Sequence, residues 1–94
     1  MNDVREELEF ILQGFCERSD PYHLGLRSAM NAMISLSDRE LESTARHATR
    51  TADSFKGHAR LVGVDPGDNY LLGISAAYRK LHRIYENYIR RTFL

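Results

Sequence analysis

The sequence predicts an all-α fold: a small antiparallel bundle of about four helices that includes a long C-terminal helical hairpin. Apolar residues recur in steps of three and four along most of the 94-residue chain, and this spacing keeps them on one face of a helix. No segment alternates apolar and polar residues as a half-buried strand does. The short connections suit antiparallel neighbours. At this length we expect a single helical domain, residues 1–94.

The first helix is expected from about residue 4 to residue 17. Asp3 and Glu6 have the spacing of a capping box at its start, and Arg5 lies on its polar face. Its apolar face is formed by Val4, Leu8, Ile11, Leu12 and Phe15. The single cysteine, Cys16, cannot form an internal disulfide, and we expect it to be a small buried side chain.

A second helix is expected from Pro21 to about Leu36. Asp20 can cap its N-terminus, and Pro21 suits a first helical turn, where the missing N–H costs nothing. Its apolar residues wrap a broad arc that includes Met30 and Met33. Flexible methionine side chains fill irregular gaps, so we expect these two in the core.

The third helix has the clearest start signal, because Ser37 and Glu40 form a capping-box pattern. We expect it to continue without a break to about Val62, where Gly63 ends it. Its small and apolar residues form one seam: Leu41, Ala45, Ala48, Ala52, Phe55, Ala59 and Val62. Most of the seam is alanine, which predicts the close approach of another helix.

The fourth helix is expected from near Asn69, capped by Asp68, to about Arg91. Its apolar residues form two adjoining stripes: Tyr70, Ile74, Ala77, Leu81, Ile84 and Tyr88, and beside them Leu71, Tyr78 and Tyr85. This surface is wider than one neighbouring helix needs. We therefore expect part of it at a subunit interface or under a partner protein.

Charge is distributed unevenly along a chain whose net charge is zero. Residues 1–45 hold nine acidic and four basic residues, whereas residues 46–94 hold nine basic and four acidic ones. Eleven of the thirteen basic residues are arginine, whose planar guanidinium binds carboxylates and phosphates. The composition thus favours a recognition surface.

Several classes of protein are disfavoured by the motifs that the sequence lacks. No apolar run approaches the roughly 18 residues of a membrane span, and the N-terminus lacks the layout of a signal peptide, so we expect a cytoplasmic protein. The four histidines are not spaced as metal ligands, and we expect neither metal nor cofactor. Because nucleophile-elbow and phosphate-loop patterns are missing, we do not expect an enzyme.

These observations favour a non-enzymatic regulatory or inhibitory protein, of bacterial or phage-like size, that binds another protein through an apolar helix face. We expect it to form a homodimer. Aromatic and arginine side chains dominate the energetics of interfaces. The predicted partner-binding residues are the outward members of the last helix: Tyr78, Arg83, Tyr85, Ile89, Arg90 and Phe93.

An alternative is nucleic-acid binding through the basic faces of the third and fourth helices. The residues concerned are Arg46, Arg50, Lys56, Arg60, Arg79, Lys80, Arg83, Arg90 and Arg91. Carboxylates at helical spacing, such as Glu42 beside Arg46, neutralise part of this charge. The sequence pI of about 6.9 also differs from the basic values typical of such domains.

A further alternative follows from a local resemblance. The eleven residues Asp53-Ser54-Phe55-Lys56-Gly57-His58-Ala59-Arg60-Leu61-Val62-Gly63 resemble the histidine-phosphotransfer motif, H-x-L-K-G-x-A followed by an apolar residue and glycine. The resemblance implies a four-helix bundle. Asp53 stands where that family has its phosphorylated histidine, and His58 lies on a different face. The resemblance therefore implies a bundle that has lost phosphotransfer and kept a docking face for a receiver-like partner.

Overall fold

The computed structural model describes residues 1–93, which form five α-helices and contain no strand. The helices are α1 (Asn2–Gln13), α2 (Pro21–Ile34), α3 (Asp38–Arg46), α4 (Ala48–Val62) and α5 (Tyr70–Phe93), with a 3₁₀ turn at Pro66–Asp68. The all-α prediction is confirmed. The number of helices was predicted too low, because the expected third helix is two helices.

Helix α5 is the centre of the fold, and every other helix packs against it. Its most extensive contacts are with α2 and α4; α1 packs on both α2 and α5, and α3 packs on α5. The largest fully buried side chains come from all of these layers except α4: Val4, Leu8, Leu26, Met30, Met33, Leu41 and Leu81. Both methionines are thus in the core, as predicted.

Helices α2 and α5 cross at two glycines. A Cβ atom at Gly25 would overlap the carbonyl oxygen of Tyr70, and one at Gly73 would overlap that of Tyr22. Both glycines are buried. The two backbones therefore touch at a distance that a side chain at either position would prevent.

Helices α4 and α5 pack through the alanine seam that the sequence predicts. Ala48 and Ala52 are fully buried and Ala59 is 2% exposed. The hydroxyl of Ser75 on α5 donates a hydrogen bond of 2.7 Å to the carbonyl oxygen of Ala52. Small side chains bring the backbones close enough for this contact. Val62, the last residue of the seam, is 52% exposed and lies outside the packed part.

The expected third helix is interrupted at His47, between α3 and α4. His47 has φ −104° and ψ 10°, outside helical values. Its carbonyl oxygen accepts both the backbone N–H of Thr51, at 3.0 Å, and the Thr51 hydroxyl, at 3.1 Å. A threonine hydroxyl that bonds back to the preceding turn bends a helix. The spacing of the seam continues across the break, so the apolar pattern does not reveal it.

The first helix is shorter than predicted and lacks the predicted capping box. It begins at Asn2, and no side chain caps it; Asp3 is already inside its first turn. It ends at Gln13, after which tight i to i−3 hydrogen bonds turn the chain, including Gly14 N–H to the Ile11 carbonyl at 3.1 Å. This turn leaves Cys16 exposed, so its predicted burial is wrong.

The remaining end signals of the helices agree with the sequence except at α5. Asp20 caps α2, Ser37 and Glu40 form a complete capping box on α3, and Gly63 ends α4 with φ 72°. At the start of α5 the predicted cap, Asp68, is exposed. Asn69 takes its place, since its side-chain oxygen accepts from the Leu72 N–H at 3.2 Å.

Arg5 joins three helices, although the sequence places it on a solvent-facing side of α1. Its guanidinium donates to the carbonyl oxygens of Ile34, at 3.2 Å, and Leu36, at 2.9 Å, beyond the end of α2. It also pairs with Asp38 in the first turn of α3 at 2.8 Å. Only 20% of the Arg5 side chain is exposed. Arg5 therefore satisfies the carbonyl groups that the end of a helix leaves unpaired.

Candidate interaction surfaces

Three of the predicted partner-binding residues on α5 are wholly or partly covered within the molecule. Tyr85 is only 7% exposed and belongs to the core, so its predicted outward orientation is wrong. Its hydroxyl reaches Glu42 on α3 at 3.4 Å. Tyr78 is half-buried and stacks on Phe55 of α4, with ring centroids 5.9 Å apart. Ile89 is half-buried against the core. Intramolecular packing thus uses much of the wide apolar face.

The other three predicted residues, Arg83, Arg90 and Phe93, are exposed. Phe93 is 74% exposed at the end of α5. Arg83 lies about ten positions earlier on the helix and lines a cavity with Arg79 and His82. The structure therefore does not gather the six residues on one open surface, and a binding role for them stays a prediction.

The exposed apolar side chains concentrate at the opposite end of the molecule, which we call the apolar end. Seven large hydrophobic side chains are exposed in residues 1–93. Five of them form the apolar end: Leu24, Leu61, Val62, Val64 and Tyr70. Leu61 and Val62 end α4, and Val64 follows it. Tyr70 begins α5, and its backbone touches Gly25 next to Leu24. Leu61, at 84% exposed, is the most open of the five.

A cavity of about 260 Å³ lies beside the apolar end. It is lined by Lys56, Ala59, Arg60, Gly63, Val64, Asn69 and Leu72. Asn69 is 3% exposed and fixes its wall, because its side-chain N–H donates to the Ala59 carbonyl at 2.9 Å. The end of α4 is thereby held against the start of α5. The backbone that carries the apolar end is therefore fixed by this hydrogen bond between α4 and α5.

A second surface, which we call the arginine groove, follows the break between α3 and α4 and the facing side of α5. It consists of three adjoining cavities of about 300, 450 and 260 Å³. The first and second share Arg46 and His47, and the second and third share Thr49. Its lining residues are Arg39, Glu42, Ser43, Arg46, His47, Thr49, Arg50, Asp53, Arg79, His82, Arg83 and Glu86.

Ion pairs neutralise some of the arginines in the arginine groove. Arg46 pairs with Glu42 at 2.9 Å and Arg79 with Asp53 at 3.2 Å; His82 contacts Glu86 at 3.0 Å. The neighbouring Tyr85 hydroxyl and Glu42 carboxylate raise the pKa of Arg46.

Three arginines of the groove have no carboxylate partner in the described chain. They are Arg39, Arg50 and Arg83, one in each of the three cavities.

The remaining basic residues of the predicted set lie elsewhere. Lys80 places its ammonium 5.8 Å from the centroid of the Phe15 ring, a cation–π contact. Lys56 and Arg60 line the cavity at the apolar end, and Arg91 lies among Asp3, Glu6 and Glu7. Arg90 is exposed on the last turns of α5. The structure thus divides the set by location, and only four of its members line the arginine groove.

The aspartate at the phosphotransfer-like position, Asp53, is exposed and occupied by its ion pair with Arg79. His58 is exposed, and its Nδ1 lies 2.8 Å from the Ser54 carbonyl within the same helix. The two side chains of the motif therefore have different partners, that of Asp53 on α5 and that of His58 within α4.

His23 is half-buried at the start of α2, where its ring makes both hydrogen bonds and aromatic contacts. His23 contacts both carboxylate oxygens of Asp20 at 2.8 Å and packs between the rings of Phe15 and Tyr22. Burial raises the pKa of the Asp20 carboxyl, but hydrogen bonds from the ring and backbone of His23 outweigh it, so the pKa lies below its usual value. The Asp20 contact caps the start of α2, and the ring contact with Phe15 joins the connection between α1 and α2 to that helix.

Residues 1–93 contain no group of three or more side chains arranged as metal ligands. Within the same residues, no helix combines the length and apolar character that crossing a bilayer requires. Sequence reasoning missed the arginine groove as a unit, because its members come from three helices. The only signal was the excess of arginine after residue 45.

Comparison with known proteins gives no significant match for this chain: no protein-family model, no curated protein and no solved structure is similar to it.

Proposed function

We propose that the protein is a non-catalytic regulator that binds another protein through its apolar end. The observation that carries this proposal is the concentration of five of the seven exposed large hydrophobic side chains at that end. Exposed large apolar side chains grouped in one region of a small protein are typical of interaction sites. As part of the same proposal, the protein acts in the cytoplasm, and inhibition by sequestration is its expected mechanism.

Leu61 and Val62 are the residues on which docking depends most. They are 84% and 52% exposed, so their side chains have much apolar surface left to bury. Full burial of such a side chain contributes about 1.5–3 kcal/mol. Covering Leu61, most of which is exposed, is therefore equivalent to about tenfold in affinity, and covering the exposed half of Val62 to less. Aliphatic side chains at the end of a helix, flanked by Arg60 and Asp65, also give the apolar centre and charged rim of a protein interface.

The test compares three forms of the tagged protein in affinity capture from nuclease-treated lysate, quantified by mass spectrometry. These are the native chain, the double variant Leu61→Ser with Val62→Ser, and the control Phe10→Ser. Phe10 is 76% exposed on α1, away from the apolar end. We expect a stoichiometric partner with the native chain and the control, and its loss with the double variant. Capture of the same proteins by all three forms would contradict the proposal.

We also propose that the homodimer expected from the sequence forms through the last turns of α5. Support comes from Phe93, which is 74% exposed beside the exposed Arg90. Light scattering coupled to size-exclusion chromatography tests this directly. We expect a dimer for the native protein and a monomer for Phe93→Ser, and a monomeric native protein at all concentrations would refute it.

For the arrangement of the helices, we infer that α4 and α5 form the antiparallel hairpin predicted from the sequence. Its support is the order of the contacts: Asn69 bonds to Ala59, and Ser75, later in α5, bonds to Ala52, earlier in α4. Spin labels at exposed sites test it. We expect a shorter distance between Asp53→Cys and Arg79→Cys labels than between Asp53→Cys and Arg90→Cys labels, each in a Cys16→Ser background. The reverse order would exclude the hairpin.

A further inference from the structure

We propose that the arginine groove binds the phosphate backbone of double-stranded nucleic acid without reading its sequence. This inference concerns a different surface from the apolar end and does not depend on the protein-binding function. It rests on three features of the groove: the distribution of its unpaired arginines, the chemistry of its other lining residues, and the course of the cavities across α3, α4 and α5.

The unpaired arginines are distributed along the groove. Arg39, Arg50 and Arg83 have no carboxylate partner in residues 1–93, and each lines a different one of the three adjoining cavities. Arg39 and Arg50 are eleven residues apart on α3 and α4, about 16 Å along the helices. A polymer with one negative charge on each repeating unit can place an anion opposite each of the three arginines. A compact anion can contact only one of them.

The paired residues keep the groove positive. Its five arginines outnumber its three carboxylates, and each carboxylate already contacts an arginine or a histidine within the groove. The Glu42 and Asp53 side chains hold Arg46 and Arg79 in place. An approaching phosphate therefore faces the unpaired guanidinium groups rather than isolated carboxylates.

The lining residues favour a phosphate backbone over an acidic protein segment. None of the three cavities is lined by an aliphatic side chain or by Phe, Tyr or Trp, whereas the centre of a protein interface is apolar. The hydroxyl residues Ser43 and Thr49 line the groove and are typical donors to phosphate oxygens. Single strands are held by stacking of bases on aromatic rings. Because the groove offers no Phe, Tyr or Trp ring and only the smaller imidazoles of His47 and His82, the geometry favours a duplex.

The experiment measures binding of a short labelled duplex DNA by fluorescence anisotropy over a range of salt concentrations. Three phosphate contacts predict a slope of log K against log salt of about −2.7, so affinity falls about 40-fold between about 50 and 200 mM salt. Arg50→Gln and Arg83→Gln each remove one contact. For either variant we expect a fall of about 12-fold over the same range.

The matched control is Arg60→Gln, which removes the same charge from an exposed position on α4 outside the groove. We expect its salt dependence to equal that of the native protein. All variants are checked for native helicity by circular dichroism, and each changes an exposed side chain. Duplex RNA, single-stranded DNA and polyglutamate serve as competitors, of which we expect only the duplex RNA to compete strongly.

Four results would overturn the proposal. The first is the absence of duplex binding at low salt. The second is an equal loss with Arg60→Gln, since the attraction would then depend on total charge alone. The third is tighter binding of single-stranded than of duplex DNA. The fourth is displacement of the duplex by polyglutamate at matched charge, which would assign the groove to an acidic protein partner. Loss of protein capture through the apolar end has no bearing on any of these measurements.

Discussion

Gly25 and Gly73 lie where α2 crosses α5, and neither position has room for a side chain. In most helices the change from glycine to alanine is stabilising, because alanine loses less conformational entropy on folding. Here the added methyl group would meet a backbone carbonyl of the other helix, which cannot move aside as a flexible side chain can. The effect of the substitution on stability is therefore decided by the clash with the facing backbone and not by the helix propensity of alanine.

We predict that Gly73→Ala lowers the free energy of unfolding by about 3 kcal/mol, the upper range for overpacking a core. The control is Gly57→Ala within α4, where nothing lies within 4 Å of the added atom. That change should raise the free energy of unfolding by about 0.5–1 kcal/mol. Urea denaturation of the two variants measures both values. Stabilisation by Gly73→Ala would show that the two helices are not in backbone contact.

A single carboxylate, Glu40, makes part of the stability depend on pH. Hydrogen bonds from the hydroxyl and backbone N–H of Ser37 hold the pKa of Glu40 below its usual value. A carboxyl with a lowered pKa in the folded state stabilises the fold above its unfolded-state pKa, and this contribution is lost as pH falls through the folded-state pKa.

We therefore predict that the stability difference between native protein and Glu40→Gln is largest at neutral pH and shrinks as the solution is acidified below the ordinary range for a carboxyl group. Urea denaturation at a series of pH values provides the measurement. Glu9→Gln, at an exposed position outside the capping box, corrects for the loss of one negative charge. A difference that is independent of pH would mean that Glu40 does not form the capping box in solution.

At the scale of the elements, Asn69 fixes the connection between α4 and α5. Its side chain caps α5 through the Leu72 N–H and also bonds to the Ala59 carbonyl of α4, while only 3% of the residue is exposed. Sequence reasoning chose the neighbouring Asp68 as the cap. Both residue types cap helices well, so their local preferences do not separate them; only the bond to Ala59 does.

We predict that Asn69→Ala lowers the free energy of unfolding by about 2–3 kcal/mol, because it removes a helix cap and leaves a buried carbonyl without its partner. Asp68→Ala, at an exposed position, should change it by less than about 0.5 kcal/mol. Thermal and urea denaturation distinguish the two variants. Equal losses in the free energy of unfolding for the two variants would indicate that Asp68 also caps α5.

The ends of the helices were predictable where the signal was local, and not where it was tertiary. Ser37 and Glu40 satisfy each other within one turn, and Gly63 adopts its left-handed conformation without outside contacts. The break at His47 has no such signal, because the residues that face α5 keep helical spacing on both sides of it. The early end of α1 also lacks a local signal: Gly14 keeps φ −67° and ψ −15°, so the chain leaves the helix through i to i−3 hydrogen bonds and not through a left-handed glycine.

At the scale of the whole molecule, Arg5 links α1 to the end of α2 and the start of α3 through several hydrogen bonds. We predict that Arg5→Lys lowers the free energy of unfolding by about 2 kcal/mol, because an ammonium group lacks the planar fork that reaches several acceptors at once. The control, Arg46→Lys, affects an exposed pair within one helix and should cost less than about 0.5 kcal/mol. Equal values in urea denaturation would show that the links of Arg5 add little.

For both candidate surfaces, the sequence shows which residue types are present, and the tertiary structure decides which of them are exposed or unpaired. The sequence pattern predicts surplus apolar surface on α5, but there Tyr85 is buried and Tyr78 is half-buried. The open apolar surface is at the other end, on Leu61, Val62 and Val64. Likewise the arginines after residue 45 are visible in the sequence, but their division into paired and unpaired members depends on contacts between α4 and α5.

By itself the sequence determined the helical class of the fold, the alanine seam, both core methionines and three of the helix ends. Each of these depends on residues within one or two turns of one another, where spacing and capping chemistry act locally. The tertiary structure alone decided the glycine crossing of α2 and α5, the break at His47, the linking role of Arg5 and the location of both candidate surfaces. These features depend on contacts between residues that are far apart in the chain, and local conformational preferences do not predict such contacts.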